Sequence, residues 1–410
     1  MARKISAAAV FLLLLAGAAV AGEPPKFIVA IVGANVHQGH APAETCAVDV
    51  PGGVLYDGAK LALDSDRVKD AARYIALEAW DDGGCEPQAE AIARIVRTNP
   101  NVLAVIGHAT SATTRAAARL YAEAGIPLLA PMATSPYILY PDWQPDTSVK
   151  GRLLRNVFRL PPGDREVQAP AAALVAAQIL TTQKCLLATD VSAEAQLYSH
   201  LLGNDIKRLL QQKGKTVEEV TVNSQNTAAA VQQAMRLRAD LIIYCGYPTA
   251  AKRLLAELAK SYGNGSARPR LLFTDGANVP DLDVHGVDAY MTYPVPDLGP
   301  YPKDLQKDVA GGNNGYEVYA YDAMLLLGQV IDQCRGRGRM GRSCVLNGLA
   351  QSRSLNGAAS TYSFAGGENL LSAYYLYHAD GTKPGKEPHF EYLQTIPSYE
   401  IVAFAAGLQQ

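Results

Sequence analysis

The sequence predicts an α/β fold of two Rossmann-like lobes, each a parallel sheet flanked by helices, with hinge strands joining the lobes. Three observations support this prediction. Short continuous apolar runs alternate with segments of helical periodicity, which is typical of parallel strands connected by crossover helices. The alternation restarts after the polar stretch 135–150, so the chain contains two successive α/β units. A third section begins at 287, and we expect it to return over both lobes because neither unit is complete without it.

The elements follow in order along each section. The first unit predicts strands at 27–34, 73–80, 102–107 and 126–131, with helices at 55–68, 86–99 and 110–124. The second unit predicts strands at 155–161, 184–190, 217–222, 241–246 and 270–276, with helices at 164–180, 194–213, 227–238 and 249–262. The third section predicts a strand at 287–294, helices at 316–334 and 343–352, and strands at 360–364 and 372–381.

The order of these sections sets the predicted domain boundaries. We assign residues 22–157 and 295–368 to lobe 1, and residues 158–294 and 369–410 to lobe 2. Two lobes joined by several strands can close around a ligand by hinge motion.

Composition excludes several classes of protein. Apolar residues make up 49% of the 410 residues and charged residues 19%, the balance of an ordinary globular chain rather than a disordered or collagen-like one. The formal net charge is −2, and no basic stripe interrupts the sequence. A mildly acidic chain of this kind lacks the electrostatic footprint of a nucleic-acid-binding protein.

The first 21 residues are interpreted as a secretory signal peptide. Arg3 and Lys4 provide the positive n-region, 7–20 is the apolar h-region, and 19–21 forms a small-x-small cleavage site. A membrane anchor is the alternative, but the run is barely long enough to span a bilayer. No cysteine precedes Cys46, so no lipid-attachment cysteine follows the cleavage site. We therefore expect a periplasmic protein without a membrane anchor, in an oxidising compartment.

Six cysteines are interpretable in that compartment. Cys334 and Cys344 bracket a Gly/Arg-rich loop that a disulfide would close, and Cys46 in the long first loop is paired with Cys85 after the second strand. Cys185 begins one predicted strand and Cys245 ends another. If those strands run parallel side by side, their sulfurs lie roughly 13 Å apart, so both are predicted to be buried free thiols.

Motifs for catalysis, metal binding and cofactor binding are scarce. The sequence contains no nucleophile elbow, Walker A, H-E-x-x-H or C-x-x-C motif. The G-x-G-x-x-G match at 336–341 follows a helix rather than a strand, so we discount it as a dinucleotide site. His37 and His40 have no clear third ligand for a metal and are interpreted as solvated loop residues. The pair Asp81 and Asp82 ends a strand and is interpreted as a turn. We expect no cofactor and no metal.

Three polar segments follow predicted strands. The stretch GHATSATT at 107–114 begins a helix whose first turn, at Thr110 and Ser111, offers unpaired N–H groups suited to a carboxylate or phosphate. Simple N-capping by either hydroxyl is the alternative. The segment 131–135 ends the next strand with another hydroxyl pair, and Asp275 ends a strand of the second unit. Because ligands of open α/β sheets bind at the carboxyl ends of strands, these elements predict a site for a zwitterion.

These residues resemble those of a known family, the type I periplasmic solute-binding proteins of ABC importers, specifically the branched-chain amino acid-binding (leucine/isoleucine/valine-type) group. The similarity runs from about residue 27 to residue 380. Its markers, in order, are VAIVGA, WDDGGCEPQAEAIARIV, VIGHATSATTRAAARLYAEAGIPLLAPMATSP, YCGYPTAAKRLLAELAKSYG, FTDGAN and YAYDAMLLL. Each marker is modest alone, whereas their order and spacing together are fairly specific.

The resemblance implies a site for an amino acid head group. Its carboxylate would be held by the Ser111 hydroxyl and by N–H groups around Thr110 and Ser111, with help from Thr134. Its ammonium would meet the Met132 carbonyl, the Thr134 hydroxyl and the Asp275 carboxylate.

The resemblance also implies aromatic contacts in the cleft. Tyr247, in YCGYP, is similar to the aromatic residue that covers the ligand from the second lobe, and Tyr316 occupies a position where the family often has a pocket aromatic. The family's tyrosine after the strand that ends at Asp190 is out of register here, and Tyr198 is its nearest counterpart, four residues late.

Four departures from the family pattern bear on specificity. Asp275 replaces a commoner Glu and reaches about one methylene less, and Ala109 stands where branched-chain binders have a larger apolar residue. The family's disulfide joins the cysteine at Cys85 to the position of Thr110, so Cys85 needs another partner. The first loop, 35–54, is longer than usual. The head-group site is retained, whereas side-chain specificity is open.

We therefore predict a binding protein, not an enzyme, that delivers an amino acid or a similar solute to an ABC transporter permease. A sensory protein of the same fold, presenting its solute to a receptor, is the first alternative. A secreted α/β enzyme is the second, and it is disfavoured because the sequence shows no nucleophile–base pair. The ligand's identity and the oligomeric state are left open.

Overall fold

Two seven-stranded sheets organise the chain. The structure is a computed structural model, and it describes residues 27–36, 46, 53–143, 151–193, 195–262, 268–279, 282–284, 286–295, 315–351, 353–369, 373–380 and 390–407. The predicted signal peptide at 1–21 and the loop histidines His37 and His40 lie outside these residues.

The strands are numbered in chain order. They are β1 (Phe27–Gly33), β2 (Ile75–Asp81), β3 (Val102–Gly107), β4 (Leu128–Ala130), β5 (Val157–Arg159), β6 (Lys184–Asp190), β7 (Thr216–Val222), β8 (Leu241–Cys245), β9 (Arg270–Phe273), β10 (Asp288–Tyr293), β11 (Leu355–Asn356), β12 (Thr361–Tyr362), β13 (Phe364–Ala365), β14 (Glu368–Asn369), β15 (Tyr374–Asp380) and β16 (Glu391–Ile396).

The helices are numbered in the same way. They are α1 (Gly53–Leu63), α2 (Lys69–Ala72), α3 (Glu86–Val96), α4 (Ser111–Glu123), α5 (Ala169–Leu174), α6 (Gln196–Gln212), α7 (Thr227–Leu237), α8 (Pro248–Ser261), α9 (Tyr316–Gly336), α10 (Arg342–Gln351) and α11 (Ser398–Ala405). Turns of π-helix at Asp164–Gln168 and Val175–Ile179 extend α5 at both ends. Among the described residues, no helix is both long and apolar enough to cross a bilayer.

The first sheet has the order β13-β14-β5-β4-β3-β1-β2. Its five early strands pair in parallel, as their continuous apolar runs predict. β4 is shorter than the predicted 126–131 because prolines 127 and 131 flank it and cannot donate a ladder hydrogen bond. The late hairpin of β13 and β14 adds to β5, which brings the third section of the chain onto this sheet.

The second sheet has the order β16-β15-β10-β9-β8-β6-β7. The strands from β6 to β10 are parallel, whereas β15 and β16 join antiparallel at the edge. The predicted architecture of two sheets of mostly parallel strands flanked by helices is confirmed, and the antiparallel pairing at this edge adds to it. β16 and α11 were not predicted, since β16 is largely exposed and lacks the continuous apolar run of a central strand.

The chain moves between the sheets at three points within the described residues: after β5, after β10 and after β14. We use lobe 1 and lobe 2 for the parts built on the first and second sheet. The whole of β5 belongs to the first sheet. The lobe boundaries drawn from the sequence stay a prediction.

Helix α9 packs against α1 on the lobe 1 side through a close backbone contact. A Cβ added to Gly58 of α1 would lie 2.3 Å from the carbonyl oxygen of Glu317. Only glycine allows that approach, and it places the first turn of α9 beside the carboxyl ends of the strands.

The predicted cysteine states are confirmed. Cys46 and Cys85 form a disulfide with a Cα–Cα distance of 5.4 Å, and Cys334 and Cys344 form another at 6.0 Å. Cys185 and Cys245 are free and buried. In the β6–β8 ladder, Cys185 is opposite Leu241 and Cys245 is opposite residue 189, so the two thiols lie several residues apart.

Candidate ligand-binding site between the lobes

The lobe 1 side of the candidate site begins at the start of α4. The Thr113 N–H donates to Thr110 Oγ1 (3.1 Å), and Thr113 Oγ1 in turn accepts from the Thr110 N–H (3.4 Å). This reciprocal capping uses the Thr110 hydroxyl within the helix. For Thr110, the structure therefore shows helix capping, the alternative to ligand binding. Ser111 is the first helical residue, and its N–H precedes the first bonded N–H groups of the helix.

A hydrogen bond joins the ends of β3 and β4 beside this helix start. Ser111 Oγ accepts from the Ser135 N–H (3.3 Å), and both residues are buried. Ser135 Oγ donates in turn to the Leu197 carbonyl of lobe 2 at 3.5 Å. The Ser111 hydroxyl proton is not used by the Ser135 contact, so this hydroxyl can donate to an anion.

A buried cluster of polar groups lies under the hydrogen-bonded start of α4. His108 Nδ1 lies 2.6 Å from Asp82 Oδ2, and His108 Nε2 lies 3.3 Å from the Tyr121 hydroxyl. Asp82 Oδ1 also accepts from the Gly84 N–H at 2.9 Å. Asp81 accepts from the Gly83 N–H at 2.8 Å, so this pair of acids forms the turn predicted from the sequence. The cluster ties the turn after β2 to the segment that enters α4.

The lobe 2 side of the site centres on a buried carboxylate. Asp275 is 1% exposed and begins a short 3₁₀ turn after β9. Its Oδ1 accepts from the Tyr198 hydroxyl at 2.6 Å, and its Oδ2 accepts from the hydroxyls of Tyr316 and, at 3.4 Å, Tyr374. Burial raises the pKa of Asp275 above its usual value, and the hydroxyl donors of Tyr198 and Tyr316 oppose that rise. In effect, three tyrosine hydroxyls surround a carboxylate that has no cation bonded to it in these contacts.

Two stacked aromatic rings of lobe 2 adjoin this carboxylate through the Tyr198 hydroxyl. The rings of Tyr198 and Tyr247 stack with centroids 5.5 Å apart and an interplanar angle of 9°. Tyr247 is half-buried, and its N–H donates to Asp190 Oδ2 at 3.2 Å. The Tyr244 hydroxyl donates to the same oxygen at 3.1 Å, which fixes the turn that carries Tyr247.

Sequence reasoning missed a second buried carboxylate, Asp164. It is 1% exposed and follows β5 at the point where the chain enters lobe 2. Its N–H donates to the Thr134 carbonyl at 3.1 Å. Gln168 Nε2 donates to Asp164 Oδ1 at 3.1 Å, while Gln168 Oε1 accepts from the Tyr198 hydroxyl at 3.1 Å. One sequence feature could have indicated it: an aspartate shortly after the carboxyl end of a strand, where ligands of α/β sheets bind.

A buried arginine links this region to lobe 1. Arg159 is fully buried, and its guanidinium donates to the Thr134 carbonyl. Arg159 Nε lies 3.0 Å from Glu368 Oε2, and its Nη2 lies 3.5 Å from Glu166 Oε2. Its positive charge is therefore compensated by two glutamates.

The structure thus brings together part of the predicted set. Tyr198, Tyr316 and Asp275 are in direct contact, and Tyr247 joins them through its ring stack. Thr134 is buried and reaches the same group through Asp164 and Gln168. Tyr198, which is out of register with the family's tyrosine, contacts Gln168, Asp275 and the ring of Tyr247.

Three other predicted residues, Ala109, Met132 and Thr110, use their side chains within the protein. The side chains of Ala109 (5% exposed) and Met132 (7% exposed) belong to a cluster of buried hydrophobic residues. Only the main chain of Met132 can therefore serve the role that the family resemblance implies for it. The Thr110 side chain is used in the helix cap.

The sequence and the fold both have known relatives. The sequence model of the periplasmic binding protein family matches residues 54–384. The leucine-specific-binding protein of Salmonella typhimurium is 24% identical over 201 residues, which are 48% of this chain and 50% of that protein. The chain thus spans about half the length of this relative.

Solved structures share the fold at low identity. The leucine-binding protein LivK of Thermotoga maritima superposes with a TM-score of 0.73 at 20% identity, covering 90% of this chain and 99% of that one. LivJ of Streptococcus pneumoniae, solved with isoleucine, gives 0.68 at 18% identity, covering 89% and 100%. A solute-binding protein of R. palustris, solved with 4-hydroxybenzoate, gives 0.68 at 16% identity, covering 90% and 97%.

Proposed function

This chain belongs to the periplasmic binding protein family, and we propose that it captures a small α-amino acid between its lobes and delivers it to an ABC importer in the periplasm. The observation that carries the proposal is the arrangement around Asp275. A buried carboxylate is surrounded by hydroxyl donors in lobe 2, while the start of α4 in lobe 1 presents Ser111. These are complementary sites for an ammonium and a carboxylate.

Each part of the zwitterion has an assigned partner in this proposal. The ligand's carboxylate accepts hydrogen bonds from the Ser111 hydroxyl and from the N–H groups at the start of α4. Its ammonium donates to Asp275, to the Met132 carbonyl and to the Thr134 hydroxyl. Tyr198 and Tyr247 cover the ligand from lobe 2, and Tyr316 orients Asp275. The proposal includes no catalytic step and no cofactor.

A ligand held by both lobes favours the closed form by its differential affinity for the two states. We expect small-angle scattering to give a smaller radius of gyration with ligand than without it. An unchanged scattering profile at saturating ligand would contradict closure.

Thermal unfolding of the mature chain in the presence of single amino acids tests ligand class directly. A ligand at 100 times its dissociation constant adds about 2.7 kcal/mol to the free energy of unfolding, so binding is visible as a raised melting temperature. The set covers aliphatic, aromatic, polar and charged amino acids, with aromatic carboxylates lacking an amine as the comparison. If no α-amino acid raises the melting temperature, the proposed function is wrong.

Delivery to a permease is tested separately from binding. Cells that lack this gene are expected to lose high-affinity uptake of the ligand that the unfolding experiment identifies. Normal uptake with intact binding would instead favour the sensory alternative.

A further inference from the structure

Asp164 is a buried ionisable group that has no role in the proposed function. Its Oδ2 has no hydrogen-bond partner among the described residues, although the residue is 1% exposed. An unpaired buried carboxylate oxygen is costly, since burial removes the water that would otherwise solvate it. Such a group is explained when a ligand supplies the missing donor.

Asp164 shares its surroundings with Asp275. Gln168 Nε2 donates to Asp164 Oδ1 (3.1 Å), and Gln168 Oε1 lies 3.1 Å from the Tyr198 hydroxyl oxygen. The single proton of that hydroxyl is shared between Gln168 Oε1 and the nearer Asp275 Oδ1 (2.6 Å). Burial raises the pKa of Asp164 well above its usual value and the charge of Asp275 raises it further, while the Thr134 side chain and the charge of Arg159 only partly oppose that rise. The two carboxylates therefore disfavour each other's ionisation in the absence of a cation.

The protein itself supplies one nearby positive charge, and it is already compensated. Arg159 pairs with Glu368 and Glu166, and its charge opposes the rise in the pKa of Asp164 without forming an ion pair with that residue. Among the described residues, neither Asp164 nor Asp275 has a cation in ion-pair contact. A neutral zwitterion brings one ammonium, which Asp275 takes, and one carboxylate, which the start of α4 takes. The second buried carboxylate then remains without a positive partner.

We propose that Asp164 binds a second positive charge on the ligand, so that the preferred substrates are α-amino acids with a cationic side chain. This inference rests on the proposed function and narrows its substrate class. The stacked rings of Tyr198 and Tyr247 favour the same class, because aromatic faces attract cations.

Matched ligand pairs test the proposal on the wild-type chain. L-Arginine and L-citrulline have nearly the same shape and differ in side-chain charge, and L-lysine and L-norleucine differ by the terminal amine. Isothermal titration calorimetry at neutral pH is expected to give a dissociation constant about tenfold or more lower for the charged member of each pair. Equal or tighter binding of citrulline and norleucine would overturn the inference and leave the proposed function intact. Absence of binding by every α-amino acid would overturn both.

An Asp164→Asn variant assigns the preference to this residue. It is expected to weaken L-arginine binding by about tenfold or more while changing L-citrulline binding by less than about threefold. Asp142→Asn is the matched control, because Asp142 pairs with Arg119 on the exposed surface of lobe 1. Equal losses for arginine and citrulline would show a merely structural role and overturn the assignment. If Asp164→Asn does not fold, the wild-type ligand pairs still decide the preference.

Discussion

In the proposed site, the two lobes present different chemical groups for recognising charge. On lobe 1, the start of α4 offers N–H groups and hydroxyls, with Thr110 capping the helix and Ser111 bonded to Ser135. On lobe 2, Asp275 and Asp164 are buried carboxylates that bear the cost of desolvation. A helix start can bind an anion without a buried ionised side chain. A buried carboxylate binds a cation strongly because it has little water to lose when the cation arrives.

This difference predicts that substitutions on lobe 2 weaken binding more than those on lobe 1. Asp275→Asn is expected to weaken binding of α-amino acids by about 2–5 kcal/mol, since it removes the charge of a desolvated pair. It is expected to leave the ligand-free chain folded, because Asn keeps the shape of Asp. Calorimetric titration measures the effect, with Asp142→Asn as the control. Binding as tight as that of the parent chain would remove Asp275 from the ammonium site.

The corresponding change on lobe 1 is Ser111→Ala. We expect a smaller loss of affinity, about 1–3 kcal/mol, because the N–H groups of α4 still hold the carboxylate. The same titration measures it. A loss larger than that of Asp275→Asn would reverse the ranking of the two lobes.

The pH dependence of ligand affinity tests the carboxylates of lobe 2. The pKa values of Asp164 and Asp275 are raised in the ligand-free protein, so both carboxylates keep their protons to higher pH than usual. A bound cation favours the ionised forms, so binding releases protons and affinity rises with pH until both groups are ionised. The rise is at most about 1.4 kcal/mol per pH unit for each proton released.

The same raised pKa values make the free energy of unfolding of the ligand-free chain fall as pH rises, whereas ligand affinity rises. Their contribution to the free energy of unfolding of the ligand-free chain is present at acidic pH and is lost as pH rises through the raised pKa values. Melting temperatures with and without ligand across this pH range measure both effects. Ligand affinity that falls with rising pH would contradict a cation site at these carboxylates.

The smallest expected effect on binding is that of Thr110→Ala. Loss of the cap is expected to lower the free energy of unfolding by about 1 kcal/mol. Affinity should change less than in Ser111→Ala, because the Thr110 hydroxyl bonds within the helix. Denaturant unfolding and titration of the same variant separate the two quantities. A larger effect on affinity than on stability would give Thr110 a direct ligand contact.

Much of the fold could be predicted because its signals are local. The apolar runs of β1, β3, β6 and β8 fall within the predicted strands, and the helices between them were also expected. The antiparallel edge was harder, since the exposed residues of β16 carry no pattern that distinguishes an edge strand from a loop. Strand direction there depends on how the last segment returns to the sheet.

The candidate site was only partly predictable for a related reason. Asp275 and Ser111 stand at the ends of strands, where position alone suggests a site. Tyr198 lies within a helix out of the expected register, yet its hydroxyl reaches Asp275 at 2.6 Å. Asp164 follows a Pro-Gly pair that is typical of a turn and does not by itself indicate a site. Its burial and its unpaired oxygen are visible only in the structure. Contacts between residues more than 70 positions apart do not appear in local patterns.

The sequence by itself determined the alternation of strands and helices, the restart that makes two α/β units, and the pairing of the four cysteines near loop ends. These depend on periodicity and on short-range placement along the chain. Tertiary structure alone decided which polar groups are deprived of water. The packing of lobe 2 and of the first turn of α9 buries Asp275 among tyrosines, and Asp164 is buried beside Gln168. In our proposal, desolvation of these carboxylates is what makes them recognise a cation.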